Sequence, residues 1–261
     1  RGALVVMLHS GGMSSRQWRR AAERLAPSYR VVSADFLGYG ASGAWPAGER
    51  FELAQEVEAT AALLRRLGEP AHLVGHSYGG FIALKVALAA PALVRSLALY
   101  EPVAFGVLDG WADAEALEDI GRERAGAGGP DGAEVLEGFL QRFVDYWGGP
   151  GGWGALRPGT RDDFRRVGWK LYQEVRALLR DRTGKAAYAA LDVPTLLVAG
   201  AHSPPDARRV AETLAGVMPR AKLEVLASAG HMGPLTHADA FLEHLEAHLA
   251  SASSASFARG A

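Results

Sequence analysis

The chain has no cysteine among its 261 residues. Disulfides, thiol nucleophiles and cysteine-ligated metals are therefore excluded. Net charge is nearly absent too: 28 Lys and Arg stand against 29 Asp and Glu, a balance of -1. Nothing in that balance draws the chain to nucleic acid or to an anionic membrane surface. No apolar run approaches the roughly 18 residues that a membrane span requires. No signal peptide is visible, but residue 1 already lies at the start of a strand; a cytoplasmic location is the expectation. Internal repeats are missing as well. Lysine is scarce beside arginine while alanine is abundant, which reflects overall composition and not function. The length suffices to bury a full core, as one domain with room for an inserted subdomain.

What is present centres on Leu73-Val74-Gly75-His76-Ser77-Tyr78-Gly79-Gly80. An apolar run enters a G-x-S-x-G sequence and a helix-forming run, Phe81 to Ala89, leaves it. Strand, sharp turn and helix are the context in which this motif has a mechanical meaning. The turn is so tight that Ser77 is expected to hold strained backbone angles. A Cβ at position 75 or 79 would collide with the adjoining strand or helix, hence glycine at both. The serine hydroxyl then stands above the end of the sheet, and the helix start aims free N–H groups at any negative charge formed beside it. The competing reading is a glycine-rich strand–helix turn with an incidental serine; the flanking strand and helix argue against it.

Taken in order, Ala3–Leu8, Val31–Ala34, Ala71–Val74, Val94–Tyr100, Thr195–Ala199 and Lys222–Leu226 read as strands. They are largely apolar, as in strands buried on both faces. Ser14 or Ser15 is placed to cap the helix carrying Trp18 and Leu25. Phe51–Leu67 is an amphipathic helix ended by Gly68 and Pro70. Asp206–Val217 and Leu235–Leu249 are further helices. Between 103 and 192 no strand is evident. Helical segments separated by glycine-rich stretches (126–132 and 148–154) carry Trp111, Phe139, Phe143, Tyr146, Trp147, Trp153, Phe164, Trp169 and Tyr172. Most of these aromatics are expected to pack helices together and a minority to face a pocket. The expectation is a core of 1–102 and 193–250, a helical lid of 103–192, and a frayed tail of 251–261 poor in apolar groups. Strand–helix alternation gives an α/β, doubly wound, mostly parallel sheet with helices on both faces. The loops at His9, Asp35, Ser77, Glu101, beyond Gly200 and at His231 then share one sheet edge, where active sites of such sheets gather.

A serine hydroxyl needs a base within hydrogen-bond reach, and the base needs an orienting acceptor. His231 is the best base. It follows the last strand in a small-residue loop, C-terminal to the serine, and a neutral imidazole can take the Ser77 proton and return it. The alternative is a loop histidine that caps a helix. His244 and His248, one helical turn apart, suggest an exposed face and not a metal site. The glycines near residue 40 do not open a helix as a dinucleotide site requires.

Four motifs together resemble the α/β-hydrolase fold family over nearly the whole chain. They are His9-Ser10-Gly11-Gly12 with Trp18 downstream, Asp35-x-x-Gly38-x-Gly40-x-Ser42, the elbow 75–80, and Gly230-His231. The family usually opens with two further strands before the equivalent of Ala3, which implies a trimmed N-terminus. The resemblance implies oxyanion donors from the backbone of Tyr78 and of the loop after the first strand, with Gly11 preferred and Ser10 or Gly12 as alternatives. Asp35 would brace its own loop. The family's acid most often lies a few residues past the strand ending at Gly200, but Ser203 occupies that place and Asp206 lies three residues on. A minority of the family places the acid after the preceding strand, where this chain has Glu101. Glu101 is preferred, with Asp206 as the alternative acid.

The function expected is a cofactor-free serine hydrolase acting on a small-molecule apolar ester, lactone or thioester. Hydrolysis of a carbon–carbon bond in a diketone by the same residues is the first alternative, and a non-catalytic binder that keeps the fold is the second. A lyase or transferase using the same serine is a further one. Dehalogenase and epoxide-hydrolase chemistry needs a carboxylate nucleophile, and the elbow carries serine.

Overall fold

A computed structural model describes residues 2–46, 49–108 and 132–257, without the side chains of 132–133 and 254–257. Trp111 and most of the glycine-rich stretch 126–132 lie outside the described residues.

Six strands form one sheet, all parallel: β1 (Leu4–Leu8), β2 (Arg30–Ala34), β3 (Ala71–His76), β4 (Val94–Tyr100), β5 (Thr195–Gly200) and β6 (Ala221–Leu226). Their order is β2-β1-β3-β4-β5-β6. Alternate side chains go to opposite faces. Leu4, Val6, Leu8, Leu73, Leu97 and Leu99 meet helices α2 (Leu53–Leu67) and α3 (Tyr78–Ala89) on one face. Val5, Met7, Val74, Ala98 and Val198 meet α1 (Arg19–Leu25) and the long C-terminal helix on the other. The four central strands are apolar because both faces are covered. The expectation of two-sided burial fails at the edges. β2 is only half-buried along most of its length, and Val225 on β6 is 52% exposed.

α2 begins where Glu52 and Gln55 close a reciprocal capping box, and it ends at Gly68, whose φ of 82° terminates the helix. Ser14 and Ser15 do not cap: Ser14 precedes a 3-10 turn without a side-chain bond, and α1 starts only at Arg19. After β4 the described chain is helical up to β5: α4 (Gly132–Gly148), α5 (Gly152–Ala155), α6 (Pro158–Arg180) and α7 (Lys185–Ala189). Phe139, Leu140, Leu171 and Tyr172 from this segment join the same apolar cluster as Leu73 and Phe81. α8 (Pro205–Val217) follows β5. The C-terminal helix expected over 235–249 is divided into α9 (Gly233–Thr236) and α10 (Ala238–Phe257). α10 runs through seven residues of the expected frayed tail, and the Ser253 hydroxyl bonds the Leu249 carbonyl at 2.8 Å. Residues 258–261 of that tail lie outside the described residues. His244 and His248 on α10 are half-buried, not exposed. Among the described residues no helix is long and apolar enough to cross a membrane.

Candidate active site

The chain between β3 and α3 turns within one residue. Ser77 has φ 54° and ψ -116°, the strained strand-to-helix turn that the G-x-S-x-G sequence calls for. A Cβ on Gly75 would lie 2.6 Å from backbone atoms of Gly79 and Gly80, and one on Gly79 would lie 2.2 Å from the Leu8 carbonyl oxygen. The two glycines therefore let α3 press against β3 and β1. The only other described non-glycine residue with positive φ is Glu101, at 43°. Both strained residues end a strand at the same sheet edge, where strain is most often kept for function.

Glu101 is fully buried and both of its carboxylate oxygens are engaged. Oε1 accepts the Gly200 N–H at 2.7 Å and Oε2 lies 2.6 Å from His231 Nδ1. Of the two carboxylates the sequence offered, Glu101 is thus the one that meets His231. Asp206 sits in the first turn of α8 and pairs with Arg209 at 2.8 Å. His231 is 3% exposed, and the Trp147 ring stacks on it with centroids 3.8 Å apart. Tyr100 Oη donates to the Gly230 carbonyl at 2.7 Å and braces the same loop. Among the described residues no hydrogen bond joins Ser77 Oγ to His231; the histidine's one side-chain bond is to Glu101.

A chain of hydrogen bonds that sequence reasoning missed ties three loops together. His76 is fully buried; burial first, and then the neighbouring His231, hold its pKa well below the usual value, so the ring is neutral. Its Nε2–H donates to the His231 carbonyl at 2.8 Å. Nδ1 must then accept, and Gln17 Nε2–H donates to it at 3.1 Å. Gln17 Oε1 in turn accepts the Ser10 N–H and hydroxyl, each at 3.1 Å. The loop after β1, the elbow and the histidine loop are therefore tied to one another. The bond also engages the Ser10 N–H, which removes it as an oxyanion donor. Gly11 and Tyr78 line the cavity beside Ser77, whereas Gly12 does not.

His9 and Asp35 hold the loops behind the site. His9 Nδ1–H donates to the Ser10 carbonyl at 2.8 Å and Nε2 accepts the Phe36 N–H at 3.1 Å. Asp35 accepts N–H bonds from Ser15 and Ala41 at 2.6 and 2.9 Å. Burial opposes its charge, but these bonds outweigh burial and keep the carboxyl below its ordinary range. The bracing role read for Asp35 holds. Burial, the largest influence, lowers His9 from 6.5 to about 4. An unfolded chain binds that proton at the higher pH, so the stability His9 contributes is complete above pH 6.5 and is lost as pH falls toward 4. Burial lowers His72, His76 and His248 in the same way, so urea unfolding at pH 4.5 is expected to show several kcal/mol less stability than at pH 7.5 from these four buried imidazoles together. A midpoint that stays level over that range contradicts the assignment.

A buried ionic cluster underlies the opposite wall. Lys170 Nζ bonds Glu56 Oε2 at 2.9 Å and Glu174 Oε1 at 2.6 Å, with all three side chains 1% exposed. Tyr39 Oη donates to Glu174 Oε2 at 2.6 Å, and Leu37 N–H to Glu56 Oε1 at 3.1 Å. The ammonium lies 4.0 Å from the centroid of the Phe51 ring. Burial, aided by the nearby Glu56, raises Glu174 to about 7 despite Lys170 and Tyr39. Removing the cation would leave two buried carboxylates without their shared partner. Lys170→Met is expected to cost about 3–5 kcal/mol, lowering Tm by roughly 10 °C in a chain of this size. An unchanged Tm in calorimetry contradicts it.

The cavity beside Ser77 is narrow, about 20 Å3, and mainly apolar, with Val103, Phe105, Phe143, Trp147 and Leu171 in its walls. Of the nine aromatics noted between 103 and 192, Phe143 and Trp147 line it; Phe139, Trp153 and Tyr172 are buried in the packing between helices. Residues 3–238 match the alpha/beta hydrolase fold family. The chain belongs to the α/β-hydrolase fold family. A pimeloyl-[acyl-carrier protein] methyl ester esterase of Chromobacterium violaceum is 32% identical to it, over 95% of this chain and 94% of that one. A 2-hydroxymuconate semialdehyde hydrolase of Pseudomonas sp. strain CF600 is 28% identical, over 97% and 89%. Among solved structures, a hydrolase from Pseudomonas aeruginosa PA01 superposes with a TM-score of 0.74 at 26% identity, over 95% of this chain and 90% of that one. With esterases among its full-length relatives, this member of the α/β-hydrolase family is an esterase-like hydrolase.

Proposed function

We propose that the protein cleaves a small or medium apolar carboxylic ester, lactone or thioester through an acyl-enzyme on Ser77. His231 Nε2 takes the Ser77 proton as Oγ attacks the carbonyl carbon, and it gives that proton to the leaving oxygen or sulfur as the tetrahedral intermediate collapses. Water, deprotonated by the same nitrogen, then attacks the acyl-enzyme and releases the acid and free Ser77. Glu101 fixes the proton of His231 on Nδ1 and stabilises the imidazolium. The backbone N–H groups of Gly11 and Tyr78 receive the oxyanion, where loss of one donor typically costs about 3–4 kcal/mol. The observation that carries this reading is the 2.6 Å contact between Glu101 and His231, at the sheet edge that also holds the strained Ser77.

A second reading keeps the same residues and changes the bond, to carbon–carbon hydrolysis of a diketone. Its support is the 28% identical semialdehyde hydrolase, matched over nearly its full length. Turnover of a series of p-nitrophenyl esters and of a vinylogous diketone separates the two. Ester hydrolysis with negligible diketone cleavage is expected. Diketone cleavage with a far higher kcat/KM reverses the order, and activity on neither class leaves the binding-protein alternative.

A further inference from the structure

The His231 ring is held at one edge by Glu101, whose Oε2 lies 2.6 Å from Nδ1. One hydrogen bond fixes a point on a ring and not its plane. The loop that carries the histidine adds little, because Ala229 and Gly230 bring no bulk to its flank. The bulk comes from the helical segment instead. Trp147, in the last turn of α4, lays its indole on the imidazole with centroids 3.8 Å apart and planes 23° from parallel. The indole is itself set edge-on against Tyr146 at 4.7 Å and Phe143 at 6.5 Å. It also lines the cavity beside Ser77.

A stacked indole does two things for a histidine that acts as a base. It fixes the plane of the ring, and with it the direction in which Nε2 points. It also tells the charge states apart. The face of an indole is electronegative and attracts a cation held over it, whereas a neutral imidazole gains only ordinary aromatic contact there. The mechanism proposed above makes His231 an imidazolium as Ser77 attacks. The ring is 3% exposed, so little water shares that charge. An interaction that strengthens only as the charge forms accelerates the step. Two titratable side chains adjoin the ring as well: Glu101, just past β4, and His76 at the end of β3, whose ring centroid lies 4.9 Å away. Glu101 answers the charge at one edge, and the neutral His76 ring adds none. We propose that Trp147 is a positioning residue for this reaction, holding the plane of the His231 ring and stabilising the imidazolium through its π face. The inference rests on His231 as the base for Ser77.

The test uses a fluorophosphonate as the probe and follows its rate of reaction with Ser77 against pH. Trp147→Leu keeps an apolar side chain and loses the π face; its rate is expected to fall roughly 2- to 30-fold. The acidic limb of the profile, where His231 gains its proton, is expected to move toward lower pH by roughly 0.4–1.5. Trp147→Phe restores a π face and should recover part of both changes. Biosynthetic replacement of tryptophan by trifluorotryptophan keeps the shape and weakens the π face. It is expected to reproduce both changes in direction in the parent and neither in Trp147→Phe, and it decides the matter even if leucine is not tolerated. A Trp147→Leu protein as fast as the parent overturns the inference. So does a limb that moves to higher pH, the mark of water admitted to the ring. A loss on Trp147→Leu with no response to fluorination overturns the role of the π face. If His231→Ala is labelled as fast as the parent, it is the underlying serine–histidine reading that fails.

Discussion

His231→Ala is expected to lower kcat on an activated ester by about 10^6, close to the loss from Ser77→Ala. The reason lies in the nucleophile. A serine hydroxyl holds its proton far above neutral pH, and His231 is the base proposed to take it. His76, the other imidazole nearby, is committed at both nitrogens, to Gln17 and to the His231 carbonyl. On the proposed mechanism serine and histidine act as one unit, so the double variant should be scarcely worse than either single one. Rates that multiply independently in the double variant, or a His231→Ala protein within tenfold of the parent, contradict the assignment.

Glu101→Gln is expected to lower kcat by about 10^4 with the fold intact. Gly200 N–H donates to Oε1 and demands an acceptor there. A glutamine that keeps this bond must turn its amide NH2 toward His231 Nδ1, at the place of the present 2.6 Å contact. Nδ1 then has to accept, the imidazole proton moves to Nε2, and the nitrogen proposed to take the Ser77 proton becomes a donor. The base is lost without any change of shape. Asp206→Asn should leave kcat within about an order of magnitude, since Asp206 pairs with Arg209 at the start of α8 and touches no reacting atom. Steady-state kinetics on the two variants side by side decide between the carboxylates; a larger loss in the Asp206 variant reverses the assignment.

The parts of the site that depend on local backbone sterics were legible in the sequence. Gly75 and Gly79 announced the elbow because no side chain fits between the packed backbones there. His231 was legible as a polar residue after the last strand, and Glu101 was preferred to Asp206 through the family resemblance. The Ser10–Gln17–His76–His231 chain was not. Gln17 and His76 are 59 residues apart, and His76 and His231 are 155 apart, so no spacing rule joins them. Glu56, Lys170 and Glu174 escaped for the opposite reason. Charges on helices ordinarily mark a solvated face, and only the third dimension brings these three together. The edge strands were misread because an apolar run does not say how many of its faces are covered.

The most direct measurement is labelling of the folded protein with a fluorophosphonate, read by intact mass and by mapping the modified peptide. One adduct per chain on Ser77 is expected, formed rapidly in the parent and very slowly in His231→Ala. A folded protein whose Ser77 stays unmodified, or is modified equally fast without His231, contradicts the claim that these residues form one nucleophilic unit.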